Sequence, residues 1–242
     1  MTVTYDPALV LLSICVAIIG SLTALALTAD RDQHSQGAWR TSFAFANSGL
    51  IMGSTIWSMH FVAMMAVEVP VPVSYNIVET IASIVVAIVA TGAGLYLTRS
   101  RALGVWSIPV GGVLMGLGIA GMHYLGMSAI RGCGLAYELQ LALASIAVAI
   151  GASMAALWFT FTGRGFLTTL AGGVVQGLAI ASMHYTAMAA TSYAPLDIRV
   201  DLVAPLFSQN VLAYLIATAI AALSAGNLVL LGLISAYRSR SA

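Results

Sequence analysis

Long apolar runs, broken by short polar punctuation, fill this chain from end to end. Seven of them, at 8–28, 43–67, 76–98, 105–128, 139–161, 166–190 and 210–236, reach the roughly 20 residues that a helix needs to cross a ~30 Å hydrocarbon layer. None alternates apolar and polar residues as a membrane strand does, so each satisfies its backbone internally as a helix. The pattern predicts an all-α membrane protein with seven transmembrane helices. Residues 8–28 follow Asp6 and no basic residue, so they read as a retained first helix and not as a cleaved leader.

Within these runs the polar and small residues recur. The second carries Gly49, Met52, Gly53, Ile56, Met59, His60, Phe61, Ala63 and Met64. The fourth carries Gly112, Met115, Gly116, Ile119, Met122, His123, Tyr124, Gly126 and Met127, and the sixth Gly173, Gln176, Gly177, Ile180, Met183, His184, Tyr185, Ala187 and Met188. All three align without a gap. The first, third and fifth runs share Ser-Ile-x-Val-Ala-Ile, beginning at Ser13, Ser83 and Ser145, each eight residues after Tyr5, Tyr75 and Tyr137. The repeating unit is a helical hairpin, present three times at about 5–67, 75–128 and 137–190, with helix seven as an extra. Each unit crosses twice, so successive units enter in the same sense and are related by an axis along the membrane normal. We expect one domain, residues 1–242, with a pseudo-threefold arrangement.

Composition sharpens this. Of 242 residues, 60% are hydrophobic, nine are arginine, eight are acidic and none is lysine, against roughly a quarter charged in soluble domains. A soluble domain and intrinsic disorder are excluded, and with no basic excess so is nucleic-acid binding. With the N-terminus outside, Arg31, Arg40, Arg99, Arg101, Arg164, Arg238 and Arg240 fall inside, and only Arg131 and Arg199 outside. That asymmetry places the N-terminus outside, periplasmic or extracellular, and the C-terminus in the cytoplasm. Cys15 reads as a small core residue and Cys133 lies in a short turn, so no disulfide framework is expected. His34, beside Asp30, Arg31 and Asp32, reads as a solvated loop residue.

The other three histidines carry the candidate chemistry. At roughly 100° per residue, Met64 lies about 40° from His60 and Met59 about 100°. Met64, Met127 and Met188 therefore rank above Met59, Met122 and Met183 as partners of His60, His123 and His184. All three histidines fall at one depth, near the outer face. Imidazole and thioether together suit copper. Zinc would use the three histidines without the methionines, and haem would use two axial ligands, not three. Against the metal stand plainer roles, methionine as core filler and histidine as an interhelical hydrogen-bonding group. Asp6, Glu68, Glu79 and Glu138 fall near outer helix ends, either as interfacial charges and helix-start carboxylates favoured by the dipole or as acceptors for a metal-bound imidazole, for which Glu79 is the best candidate. Nothing suggests catalytic residues.

The sequence also resembles a known family. Ser182-Met183-His184-Tyr185-Thr186-Ala187-Met188 carries a Met-His-Tyr-Thr signature in full, Leu125 replaces the threonine after His123-Tyr124, and Phe61 and Val62 follow His60. This is similar to the bacterial MHYT domain, a seven-helix membrane sensor unit, over essentially the whole chain. The resemblance implies copper binding by the motif's methionines and histidines and sensing of oxygen, carbon monoxide or nitric oxide. It also implies output through a cytoplasmic diguanylate cyclase or phosphodiesterase domain or partner. The expected protein is thus a non-enzymatic sensor in the lipid bilayer, with helix seven passing the signal inward. Two alternatives are a copper-dependent redox enzyme, with Tyr124 and Tyr185 beside an open metal position, and a copper-handling protein whose lining Met52 and Met115 extend.

Overall fold

The structure, a computed structural model, describes residues 3–29, 38–100, 103–162, 165–195, 206–208, 211–212 and 214–216. Six long helices make up most of it: α1 (Pro7–Ala29), α2 (Ala38–Met65), α3 (Ile77–Ser100), α4 (Ser107–Ser128), α5 (Leu139–Thr162) and α6 (Phe166–Ala189). They follow the first six apolar runs closely. Five of them, α1 and α3 to α6, are long and apolar enough to cross a membrane; α2 is as long but opens on the more polar Arg40, Thr41, Ser42, Asn47 and Ser48. Of the predicted seventh helix, 211–212 and 214–216 are helical, with Leu212 and Ile216 buried. Its remainder, like His34, lies outside the described residues.

The helices close a ring. Each packs on its neighbours in the chain, and α6 returns to α1. Small residues allow the tightest approaches, as they do wherever lipid offers no hydrophobic gain for association. A Cβ on Gly53 would lie 2.5 Å from Ile88 Cα of α3, one on Gly116 2.5 Å from Ile150 Cα of α5, and one on Gly177 2.5 Å from Ile18 Cα of α1. These are corresponding positions of the repeat, so one local rule sets three helix contacts. The outward surface is apolar, with Leu11, Ile19, Val85, Val89, Leu143 and Leu178 exposed. Cys15 shares that surface. The expectation of a core cysteine is corrected here: Cys15 points away from the bundle, and the core side of α1 is taken by Ser13, Ala17 and Ser21.

One end of the bundle carries short strands that the apolar pattern does not reveal. β1 (Thr4–Tyr5) pairs antiparallel with β2 (Val67–Glu68), β3 (Ser74–Asn76) with β4 (Ile130–Arg131), and β5 (Cys133–Tyr137) with β6 (Thr191–Pro195). β7 (Leu206–Ser208) adds to the free side of β3. In each pair, the segment entering an odd-numbered helix meets the segment leaving the next even-numbered one. The hairpins are therefore clipped shut at their open ends. Just inside the clips, the amides of Asp6, Asn76 and Glu138 donate to the carbonyls of Ala66, Ala129 and Ala190, at 2.9, 2.8 and 2.8 Å. The clips hold the last turns of α2, α4 and α6, which carry the histidines, in fixed positions.

Candidate metal centre

The three repeat histidines, distant in sequence, meet. His60 Nδ1 lies 3.2 Å from His184 Nδ1 and 3.2 Å from His123 Nδ1. One ring nitrogen from each lies within 4.8 Å of the others. All three side chains are buried, and the rings meet edge to face, with centroids 4.8 to 5.2 Å apart.

Three imidazoles cannot satisfy one another. Each neutral ring has a single N–H, His60 Nδ1 faces two nitrogens at once, and the Nε2 of all three is buried with no hydrogen-bond partner. A tetrahedral ion with metal–nitrogen bonds of about 2.0–2.1 Å separates its ligand nitrogens by about 3.3–3.4 Å. The two separations at His60 are near that value, the three donors lie within 4.8 Å of one another, and the donor set is one that copper, zinc or iron accepts. The residues present therefore fit a metal, held through Nδ1 with the ring proton on Nε2.

Around the histidines the aromatic residues form three arms. His60 packs on Phe61 (4.7 Å between centroids), His123 on Tyr124 (5.0 Å) and His184 on Tyr185 (5.0 Å). Phe61 in turn meets Tyr75 at 5.7 Å, and Tyr124 meets Tyr137 at 5.4 Å. The serines of the weaker repeat anchor these arms. Ser13, Ser83 and Ser145 each donate to the carbonyl three residues earlier, at 2.7 Å. Each then accepts: Ser145 from the Tyr124 hydroxyl (2.8 Å), Ser13 from the Tyr185 hydroxyl (2.8 Å), and Ser83 from the Trp57 indole N–H (3.0 Å). Phe61 has no hydroxyl to offer, and Trp57, one turn earlier, fills its place. The repeat in the sequence marks these serines but not their role, and it gives no sign of Trp57.

Of the two readings of the carboxylates, the structure bears out helix-end and interfacial charges and not support of the histidines. Glu79 accepts both contacts from Arg131 Nη2, at 3.0 Å. Asp6 caps α1 by accepting from the amides of Ala8 and Leu9. Glu68 accepts from the Thr4 hydroxyl at 2.8 Å, and Glu138 is exposed. Carboxylates at these helix and strand ends reach solvent or a nearby donor at less desolvation cost than they would meet beside buried imidazoles. All six candidate methionines, Met59, Met64, Met122, Met127, Met183 and Met188, are buried.

Over the centre, the strand clips gather tyrosines. Burial, and then the nearby Tyr5, Cys133, Tyr75 and Tyr137, push the Tyr193 hydroxyl far above its ordinary value. Burial, with Tyr124 adding to it, raises Tyr137 from 10.0 to about 12. Burial also raises the Cys133 thiol. The neutral phenols are thus favoured in the folded state. An unfolded chain releases the Tyr193 proton near pH 10, and the folded chain, which buries that hydroxyl, holds it to higher pH, so stability is intact below pH 10 and falls as pH rises above it. Alkaline absorbance titration of the wild type against Tyr193→Phe should assign to Tyr193 a phenolate that appears only together with loss of near-ultraviolet circular dichroism; its appearance at pH 10 with the fold intact contradicts a packed tyrosine cap.

The chain matches the MHYT repeat, described as a bacterial signalling protein N-terminal repeat, over residues 1–40, 53–111, 116–173 and 177–239. The chain belongs to the MHYT family. It is similar to the bifunctional diguanylate cyclase/cyclic di-GMP phosphodiesterase MucR of Pseudomonas aeruginosa, 39% identical over 201 residues that cover 78% of this chain and 28% of the relative. The signaling protein YkoW of Bacillus subtilis is 34% identical over 198 residues, 79% of this chain and 24% of the relative. The cyclic di-GMP phosphodiesterase NbdA of Pseudomonas aeruginosa is 35% identical over 198 residues, 77% and 24%. The chain thus spans about a quarter of the length of these relatives. No solved structure matches it.

The later copies of the MHYT repeat begin at Gly53, Gly116 and Gly177, the three glycines that sit on a neighbouring backbone. Two of those contacts, α2 on α3 and α4 on α5, lie within one copy. The third joins Gly177 to Ile18, in the first matched stretch, and this contact closes the ring.

Proposed function

We propose that this MHYT domain is a non-enzymatic sensor of the inner membrane, with a copper ion held by His60, His123 and His184 near the outer face, whose state is passed to a cytoplasmic output domain or partner. The observation that carries the reading is the meeting of three buried imidazoles from three different helices, with His60 Nδ1 at 3.2 Å from the Nδ1 of each of the other two. We take the bundle as three hairpins about a pseudo-threefold axis along the membrane normal, with a seventh spanning helix, an outside N-terminus and an inside C-terminus. The corresponding glycine contacts and clips support the axis, and the arginine asymmetry supports the orientation.

Copper would supply affinity for a diatomic gas, such as oxygen, carbon monoxide or nitric oxide. The chain's own residues bury that ion, exclude water and join α2, α4 and α6, so any change that one state favours over another acts on all three helices together. Methionine completes the donor set. Measured from His123, whose Nδ1 faces that of His60, Met127 lies about 40° round α4 and Met122 about 100°, which favours Met64, Met127 and Met188 over Met59, Met122 and Met183 as the sulfur donors.

MucR and NbdA are named for cyclic di-GMP synthesis or breakdown, which makes cyclic di-GMP turnover the output we assign to this sensor. The rings of Tyr124 and Tyr185 beside the histidines favour, as a second reading, a copper redox enzyme. Metal analysis of purified protein followed by optical and electron paramagnetic spectra under each gas separates them. A gas-dependent spectrum without turnover supports the sensor, substrate oxidation supports the enzyme, and absence of metal after reconstitution defeats both.

A further inference from the structure

At the end of the bundle opposite the strand clips, a cavity of about 380 Å3 opens between the last turns of α3 and α5 and the start of α4. Thr98 and Ser107 form its buried side, Ile108 and Phe161 an apolar wall, and the exposed Gly104, Val105 and Thr162 its rim. Phe161 is held by parallel stacking on Phe45, with ring centroids 5.7 Å apart, and the Arg99 guanidinium covers the Phe45 ring at 5.2 Å. Trp106, between Val105 and Ser107, is 66% exposed, and Trp158, one turn before Thr162, is 52% exposed. Tryptophan gathers where hydrocarbon meets headgroups, so the cavity lies at that depth.

The three hydroxyls of the cavity are not equivalent. Thr98 Oγ1 donates to the carbonyls of Gly94 and Ser107, at 2.9 and 3.2 Å, and Thr162 Oγ1 to that of Trp158 at 2.6 Å. Ser107 is 3% exposed, and its Oγ has no hydrogen-bond partner. It is the first residue of α4, with helical φ and ψ of −59° and −42°, and so misses the N-cap position, where its oxygen would accept from a backbone amide. The carbonyls of Leu103 and Gly104, four and three residues back, are engaged by the amides of Trp106 and Ser107. A buried hydroxyl left bare is costly, and this one is free to donate. None of the lining residues is charged, so a phosphate or carboxylate buried there would go unpaired. The acceptor that fits is neutral.

We propose that this cavity binds a glycerophospholipid, with one acyl ester carbonyl accepting a hydrogen bond from the Ser107 hydroxyl and the methylenes next to it lying on Ile108 and Phe161. The ester is the part of a phospholipid that stands at the hydrocarbon boundary, the depth that Trp106 and Trp158 mark. The headgroup stays outside, so its charge does not select the lipid. The cavity volume is at the lower end of ligand pockets, roughly 300–1,000 Å3, and takes only this part of the molecule. The site is independent of the histidine centre, which His123 joins near the other end of α4.

The test titrates the purified, delipidated full chain in detergent with phosphatidylglycerol carrying either ester-linked or ether-linked chains of equal length, and counts bound lipid by native mass spectrometry. Ether linkage removes the carbonyl and little else. The wild type should bind one ester lipid about three- to tenfold more tightly than the ether lipid, the worth of one neutral hydrogen bond. Ser107→Ala, which deletes a bare hydroxyl and so should fold, should bind both at the weaker level. Ile108→Trp, which fills the cavity, should bind neither, and ester-linked phosphatidylethanolamine should match phosphatidylglycerol. Equal affinity of the wild type for the two linkages, or a preference that survives Ser107→Ala, overturns the proposal. So does retention of the ester lipid by an Ile108→Trp variant with wild-type circular dichroism. A tenfold preference for phosphatidylglycerol over phosphatidylethanolamine overturns the neutral ester contact, and displacement of the ester lipid by an equal concentration of a membrane quinone overturns the phospholipid as occupant.

Discussion

Replacing any one of His60, His123 and His184 by alanine should lower metal affinity by more than about a hundredfold, since even second-layer partners of metal ligands are worth 10–100-fold, and should leave the helices assembled. The two halves of this expectation have separate causes. Each histidine contributes one of three converging nitrogens, and two imidazoles from different helices make a much poorer site. The fold survives because opposing terms nearly cancel. Truncation leaves a cavity costing about 2–4 kcal/mol, but it also removes a ring whose Nε2 has no partner, worth about 1–3 kcal/mol. The decisive measurement is thermal unfolding with and without metal. A ligand at a hundred times its dissociation constant stabilises by about 2.7 kcal/mol, so the wild type should melt at higher temperature when loaded, and each alanine variant should show no shift. An unchanged shift in all three variants would falsify the histidine centre.

Gly116→Leu should be strongly destabilising, as should leucine at the corresponding Gly53 and Gly177. The first side-chain carbon at position 116 would meet Ile150 Cα at 2.5 Å and Ile150 N at 2.7 Å, backbone atoms that cannot turn aside as a side-chain end can. Relief requires α4 and α5 to separate, and overpacking of this kind costs about 3 kcal/mol or more. The separation also carries Tyr124 away from Ser145, so metal affinity should fall with stability. Gly151→Ala is the control. Nothing lies within 4 Å of a Cβ there, and its effect should stay within about 1 kcal/mol. Equal stability of the two variants, measured by thermal unfolding in the same lipid, would show that the glycines are not contact sites.

The alignment of His60, His123 and His184 is legible in the sequence itself, because a ligand set shared among helices leaves the same residue at the same place in each copy. Copies can differ where a neighbour compensates, and there the pattern misleads. Phe61 looks like a defect in the first copy, yet Trp57 makes the bond to Ser83 that a tyrosine makes elsewhere. Glu79 looks like a support for an imidazole, yet it lies opposite Arg131, a residue 52 positions away whose proximity depends on how β3 pairs with β4. The strands themselves leave no trace in the pattern, since two to five residues are too few for a period to register.

Membrane character, six of the helices and the family are determined by the sequence alone, because hydrophobic length and a gapless motif are local properties that no partner has to supply. Tertiary structure alone decided which atoms meet. The order of helices round the ring, the closure of α6 on α1 through Gly177 and Ile18, the convergence of three Nδ1 atoms and the bare hydroxyl of Ser107 all depend on helix rotation and separation. Those are set by close contacts between residues far apart in the chain, such as Ser13 and Tyr185 at 172 positions, and spacing along a single helix cannot specify them.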